Sequence, residues 1–368
     1  MCPHRRQLRR KTVIQEACQP RNGRDRPGSR RQQGTGGGRI CRMRQILPAA
    51  LAALGIFFLP LAGVAAGATG GFAFPLACEP GHDCWPVRYV DRDPGPGWRD
   101  YRGGRRSEDG HDGTDLAIRD RRRMSEGVAV LAAADGEVLR SRDGEPDFAL
   151  VEKGPEAVRG RACGNGVLIR HEGGLETQYC HLRRGSIMVR PGDRLRAGAV
   201  LGYVGMSGET SFPHLHFTVR RDGRPVDPFA PEDRAAGWRP EVARRMAYRP
   251  VVLTGIGVAV GPVERRALEA GFQDFSRLPV TAPALVVWVR GYWFEEGDRL
   301  ELSLRGPDGE RLVDDVRRLG RSRSFAFYFA GRRRPDAGWM PGRYRLRARL
   351  RRGDREVARE RVVILYPQ

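Results

Sequence analysis

The run Pro213-His214-Leu215-His216-Phe217-Thr218-Val219-Arg220 constrains this chain more than any other stretch. It alternates strictly between apolar and polar residues, the pattern of a strand with one buried face. Leu215, Phe217 and Val219 share the face expected to meet a core. His214, His216, Thr218 and Arg220 share the other. Two imidazoles two residues apart can then serve one metal ion or one substrate atom. For an isolated His-x-His the plainer reading is a pair of surface histidines on an edge strand, so the rest of the chain has to decide.

Residues 91–110, rich in Gly, Pro, Asp and Arg, read as a loop that delivers His111-Asp112-Gly113-Thr114-Asp115-Leu116-Ala117-Ile118. Strand patterns follow at 128–131, 136–140, 166–171, 177–182 and 200–204. They are separated by turn signals at Asp135-Gly136, Asp143-Gly144, Gly173-Gly174, Pro191-Gly192-Asp193 and Asp222-Gly223. No helix-period stretch of useful length interrupts them, so residues 108–232 are expected to form a nearly all-β domain, preceded by a loop segment at 69–107. A linker at 233–245, with a short helix from Pro240, leads to residues 246–368. There, patterns at 251–260, 284–289, 299–304, 324–329, 343–350 and 356–365 predict a small β-sandwich-like domain. That second domain shows no metal-ligand or nucleophile cluster, and its role is not written in the sequence.

The formal charge of +21 invites a nucleic-acid reading, but residues 1–44 hold 13 Lys and Arg against only Glu16 and Asp25. About half of the excess therefore sits in a basic extension at 1–42 that has no apolar period and is expected to be disordered. The remainder is spread thinly, with no nucleic-acid recognition motif. Residues 43–68 read as a signal peptide: Arg44, then an apolar run, then Ala65-Ala66-Gly67-Ala68. A start at Met43 would make the extension a misassigned leader. Secretion to a periplasm or the extracellular space, with no stable membrane anchor after cleavage, changes the cysteine arithmetic. Cys78, Cys84, Cys163 and Cys180 remain, an even number in an oxidising compartment, with three possible pairings. Cys78 with Cys84 is the natural local loop, leaving Cys163 for Cys180. Against this, a two-residue turn at Gly173-Gly174 would set Cys180 opposite Val167, and the second bridge then needs the chain to fold back at Gly164.

Six histidines follow the signal: His82, His111, His171, His181, His214 and His216. His111 and Asp115 form an H-x-x-x-D pair at a strand entrance, with Gly113 expected to permit a tight loop. One carboxylate and two imidazoles make a catalytic zinc set that leaves a position for water. Two spare histidines can then handle protons near neutral pH. His82 reads as a loop residue, His171 as a hairpin residue, and Trp85, Trp98 and Tyr101 as packing residues.

The segments HDGTDLAI, GNGVLIRHEGGLETQYCHL, VRPGDRLRAGAVLGYVG and FPHLHFTVRRDGRPVDP, in that order over about residues 108–229, resemble the M23 (LytM/lysostaphin-like) zinc endopeptidases. The resemblance implies an M23-type antiparallel β peptidase domain. It also implies zinc on His111, Asp115 and His216, with His181 and His214 as catalytic histidines and peptidoglycan peptides as substrate. The G-x-x-V-x-x-G-x-x-(I/L)-G pattern is met at Gly192, Gly198, Leu201 and Gly202, with Leu195 in the Val slot. There are three departures from the family: Thr218 where many members carry Glu, Cys180 inside Y-x-H-L, and Ser211-Phe212-Pro213 where an approach containing Gly is usual. None removes a ligand. The rival readings are a non-catalytic LytM-like module that activates a partner hydrolase, and a protease acting on extracellular proteins.

Overall fold

The computed structural model describes residues 70–367; the basic extension and the signal segment read above lie outside the described residues. The first ten strands are β1 (Cys84–Arg88), β2 (Thr114–Ile118), β3 (Ala129–Leu131), β4 (Gly136–Arg142), β5 (Asn165–Arg170), β6 (Leu175–Leu182), β7 (Arg194–Leu195), β8 (Val200–Tyr203), β9 (His214–Arg221) and β10 (Arg224–Val226). Eight of them form one antiparallel sheet in the order β1-β2-β9-β6-β5-β4-β7, with β10 paired to β9; β3 and β8 form a separate ribbon. The alternation read in the sequence decides which face is buried. Leu215, Phe217 and Val219 of β9 join Leu116, Val167, Ile169, Tyr179 and Leu182 from neighbouring strands. Val130 and Leu201 of the ribbon belong to the same core. Buried aliphatic and aromatic area of this kind supplies the main stabilisation, at roughly 25 cal/mol per Å².

A short helix at Pro240–Arg245 leads out of this region. It starts at the expected proline, whose missing N–H costs nothing in a first turn. Eight further strands follow: β11 (Val252–Ala259), β12 (Arg277–Pro279), β13 (Ala284–Phe294), β14 (Arg299–Arg305), β15 (Arg311–Arg318), β16 (Arg323–Arg333), β17 (Gly342–Arg352) and β18 (Arg355–Tyr366). They make a three-stranded sheet, β11-β13-β16, and a five-stranded one, β12-β18-β17-β14-β15. One apolar core draws on both sheets, including Leu253, Val287 and Val289 from the first and Leu302, Leu346 and Leu350 from the second. This is the arrangement of a small sandwich.

The two regions touch through Trp85, Val87 and Ala117, which pack with Val252. The buried Arg290 reaches across to Asp120 at 3.0 Å, and Trp293 Nε1 donates to the Val87 carbonyl. Among the described residues no helix is long and apolar enough to cross a membrane.

Candidate functional site

Three neighbouring strands bring the site together. Asp115 of β2 is the direct cross-strand partner of His216 on β9, and His216 is in turn opposite Cys180 on β6. Cross-strand partners share a face of the sheet, and His214 joins them by the two-residue period. His111 arrives from the loop before β2. The outcome is a single focus, Asp115 Oδ1, which lies 3.1 Å from His111 Nε2, 3.0 Å from His216 Nδ1 and 3.3 Å from His214 Nε2. The rings of His181 and His214 are 4.7 Å apart.

What each imidazole does with its other nitrogen sets its role. His111 Nδ1 donates to the Tyr89 carbonyl at 2.7 Å, His181 Nδ1 to the Ser207 carbonyl at 2.8 Å, and His214 Nδ1 to the Phe212 carbonyl at 3.0 Å. A carbonyl can only accept, so in each neutral ring the proton sits on Nδ1 and the Nε2 lone pair looks into the site. A lone pair 3.1 Å from a carboxylate oxygen is repulsive unless positive charge lies between them. The donors of His111, Asp115 and His216 all lie within 4.8 Å of one another. This donor set fits a metal ion in character and number, with room for a further ligand.

The electrostatics agree. Burial opposes the charge on Asp115, yet His214 and His111 hold its carboxyl well below the usual range. Burial pulls His216 down, but its hydrogen bonds to Asp112 and Asp115 prevail and carry it up to about 9. His181 goes the other way. Burial first, then the neighbouring His214 and His216, push it well below its ordinary value, so its ring is neutral.

Asp112 was not among the residues the sequence reading singled out. Its Oδ1 accepts from His216 Nε2 at 3.0 Å and its Oδ2 accepts from Arg220 Nη2 at 2.6 Å. Thr218 Oγ1 also lies 3.0 Å from His216 Nε2. This is the carboxylate support expected behind a ligating histidine, and it leaves Nδ1 free for the site. The signal for it was Thr218 itself: the acid absent from the strand is replaced by one in the loop. Gly113 also plays a different part from the tight loop expected of it. A Cβ there would lie 2.6 Å from His216 Nε2 and 2.8 Å from the Phe217 carbonyl, so the glycine is required by close approach of the His216 ring.

His181 is placed by a bulge. Val167 pairs with Tyr179 but Asn165 pairs with Leu182, so Cys180 and His181 together oppose Gly166. His181 adopts φ +63°, a left-handed conformation uncommon outside glycine. Bulges re-aim side chains in this way beside functional sites. The same irregularity settles the cysteines. Gly164 has φ +62°, the chain folds back there, and Cys163 bonds to Cys180 while Cys78 bonds to Cys84.

Residues 109–228 match the family model for Peptidase family M23. That segment is similar to the M23 peptidases. Over 106 residues it is 38% identical to the DD-carboxypeptidase/endopeptidase Mpg of Neisseria meningitidis serogroup B, covering 29% of this chain and 22% of that protein. Over 117 residues it is 32% identical to the peptidoglycan DD-endopeptidase ShyB of Vibrio cholerae, covering 32% of this chain and 22% of that one. A lipoprotein NlpD/LppB homolog of Pseudomonas aeruginosa is 33% identical over 102 residues, 28% of each chain. The chain thus spans less than a third of the length of each of these relatives.

The M23 focus opens into a cleft of about 550 Å³ whose walls include Arg88, Glu108, Gln178, Glu209 and Phe212. The Phe212 ring stacks on His214 at 4.3 Å, which gives the unusual Ser211-Phe212 approach a structural reason. His171 lies elsewhere, bonded to the Asp135 carbonyl and to Thr177 Oγ1 at 2.7 Å each, in the framework under the M23 sheet. Trp85 is buried against the C-terminal sheets, and Tyr101 packs with Tyr89, Phe229 and Tyr248. Trp98 is partly exposed, its Nε1 donating to the Arg105 carbonyl. Cys78, Asp83 and Cys84 also cluster, but both sulfurs are spent in a disulfide.

Proposed function

We propose that this chain is a secreted, zinc-dependent endopeptidase that hydrolyses peptide bonds in the stem peptides or cross-bridges of peptidoglycan. The observation that carries the reading is the Asp115 oxygen faced by His111, His214 and His216 at 3.0–3.3 Å. In this reading His111, Asp115 and His216 hold zinc. When bound, zinc supplies Lewis acidity that makes water a better nucleophile and polarises a carbonyl at neutral pH.

The chain's own residues do the rest. His181, neutral and with its Nδ1 proton tied to Ser207, presents a basic Nε2 that takes a proton from the attacking water. His214 is held by Phe212 on one side and faces Asp115 on the other. Its Nε2 edge is placed to stabilise the developing oxyanion and to pass a proton to the leaving amine. Asp112 and Arg220 keep His216 oriented. Support for peptidoglycan as substrate comes from the chain's likeness to the two endopeptidases, Mpg and the peptidoglycan DD-endopeptidase ShyB.

The test is mass analysis of fragments released from purified sacculi with and without a chelator. New peptide termini that vanish with chelator are expected. Release that ignores the chelator contradicts the zinc role. Casein cut while sacculi stay intact assigns a protein-directed protease, and a folded chain that cuts neither is a non-catalytic module.

A further inference from the structure

A second cavity, about 450 Å³, lies where the M23 sheet meets the C-terminal sheets, and it shares Arg88, Ser211 and Phe212 with the cleft. Phe212 is the partition. Its ring stacks on His214 on one side and lies 5.7 Å from Tyr292 on the other. Tyr292 is 5.1 Å from Phe325, so an aromatic floor runs from the candidate catalytic histidine into the C-terminal region.

Six guanidinium groups surround this floor: Arg88, Arg119, Arg121, Arg265, Arg290 and Arg323. Only two carboxylates, Asp120 and Glu269, line the cavity with them. The carboxylates are already engaged. Glu269 pairs with Arg265 at 2.7 Å, and Asp120 pairs with Arg290 at 3.0 Å and Arg119 at 3.6 Å. Arg88 pairs with Glu108 at 2.9 Å. Among the described residues, Arg121 and Arg323 have no carboxylate in ion-pair reach; Arg121 lies over the Phe148 ring, 4.9 Å from its centre.

A recess walled by one sign of charge concentrates anions. Arginine is the side chain whose planar fork matches a carboxylate. We propose that this cavity is a carboxylate subsite for a peptide lying in the cleft. The chain would pass Phe212 and set a carboxylate against Arg121 of the M23 segment and Arg323 of the C-terminal sheets. The proposal rests on the peptide-cleaving reading for what occupies the cleft. It also gives the C-terminal region a part in substrate choice, because Arg323, Tyr292 and Phe325 all come from it.

The experiment is fluorescence anisotropy with the full-length chain. A chelator is present, so that nothing is cut and no carboxylate can sit on a metal. The probes are one labelled acidic peptide with a free C-terminus and the same peptide with every carboxylate converted to the amide. The acidic form should bind more tightly. Combining Arg121→Gln with Arg323→Gln should weaken it about tenfold or more while leaving the amide form unchanged. Equal binding of the two peptides, or equal loss of both in the variant, overturns the subsite. So does displacement of both peptides alike by a short DNA oligonucleotide, which would assign the charge to nucleic acid. Restoring zinc separates the two claims. Carboxylate-dependent binding without cleavage leaves the subsite standing and removes the peptidase reading, whereas cleavage without carboxylate preference does the reverse.

Discussion

The M23 sheet and the C-terminal sandwich are built from the same two-residue alternation, yet they bury different things. In the M23 region the buried polar residues include His111, Asp115, Asn165, Thr177, His181, Ser207, His214 and Thr218. Among the described residues from Val251 onward they are only Thr254, Arg290 and Asp298. Strands β17 and β18 show the plain case. Tyr344, Leu346, Ala348 and Leu350 are buried, while Arg343, Arg345 and Arg347 between them stay in solvent. A buried ionisable group is costly unless paired, so a sheet that buries four in mutual contact is one whose inward chemistry has a use. The sandwich buries almost none, and its contribution is packing and the face it turns toward Phe212.

The sharpest way to break this comparison is to injure each region once. His181→Gln should lower turnover about 10²–10⁴-fold with no change in thermal midpoint. Leu302→Ala, in the sandwich core, should cost about 2–5 kcal/mol of stability and leave turnover per folded molecule intact. Loss of turnover without loss of stability at Leu302 would mean that the two regions do not divide the work. Next in size, Asp112→Ala should weaken zinc binding about 10–100-fold, measured by competition with a chromogenic chelator. An unchanged affinity would make the Asp112–His216 bond incidental.

Much of this was legible before any coordinates. The alternation in β9 named the core face and the histidine face together, and the sandwich strands followed from the same period. What was missed depends on contacts distant in sequence. Asp112 gains its meaning only from His216 and Arg220, 104 and 108 residues away. Strand β15 escaped because its sequence, RLVDDVRR, is mostly charged. As an edge strand it needs few apolar residues, since only one neighbour and one face are covered. The preferred cysteine pairing is the one that forms, but the register that permits it was not legible, because a bulge at Cys180-His181 leaves no trace in composition.

Two smaller effects sharpen the comparison within the M23 region. Replacing Cys163 and Cys180 together by Ser should cost about 3 kcal/mol in the chain-entropy picture, read as a lower urea midpoint. An unmoved midpoint would mean that the hairpin is held by its sheet contacts alone. Asp227 is a buried carboxylate whose Oδ2 has no hydrogen-bond partner, and burial raises its pKa to about 6. The folded state therefore holds this proton more tightly than the unfolded chain. Its contribution to stability is full below about pH 4, the ordinary Asp range, and is lost as pH rises through 6. Asp227→Asn should flatten that fall and gain on the order of 1–2 kcal/mol at pH 7, less than the whole linkage because the new amide N–H₂ also lacks an acceptor. A pH–stability curve with the same slope in both proteins would contradict the assignment.

The central claim is that one group of residues holds a metal while another moves protons, and it is tested by measuring zinc content beside activity in two single variants. His216→Ala should lose both zinc and activity. His181→Ala should retain zinc at the level of the unaltered protein and lose activity, because a ring tied to Ser207 and aimed at the substrate tethers no metal. Equal loss of zinc in the two variants, with both chains folded, would contradict the account.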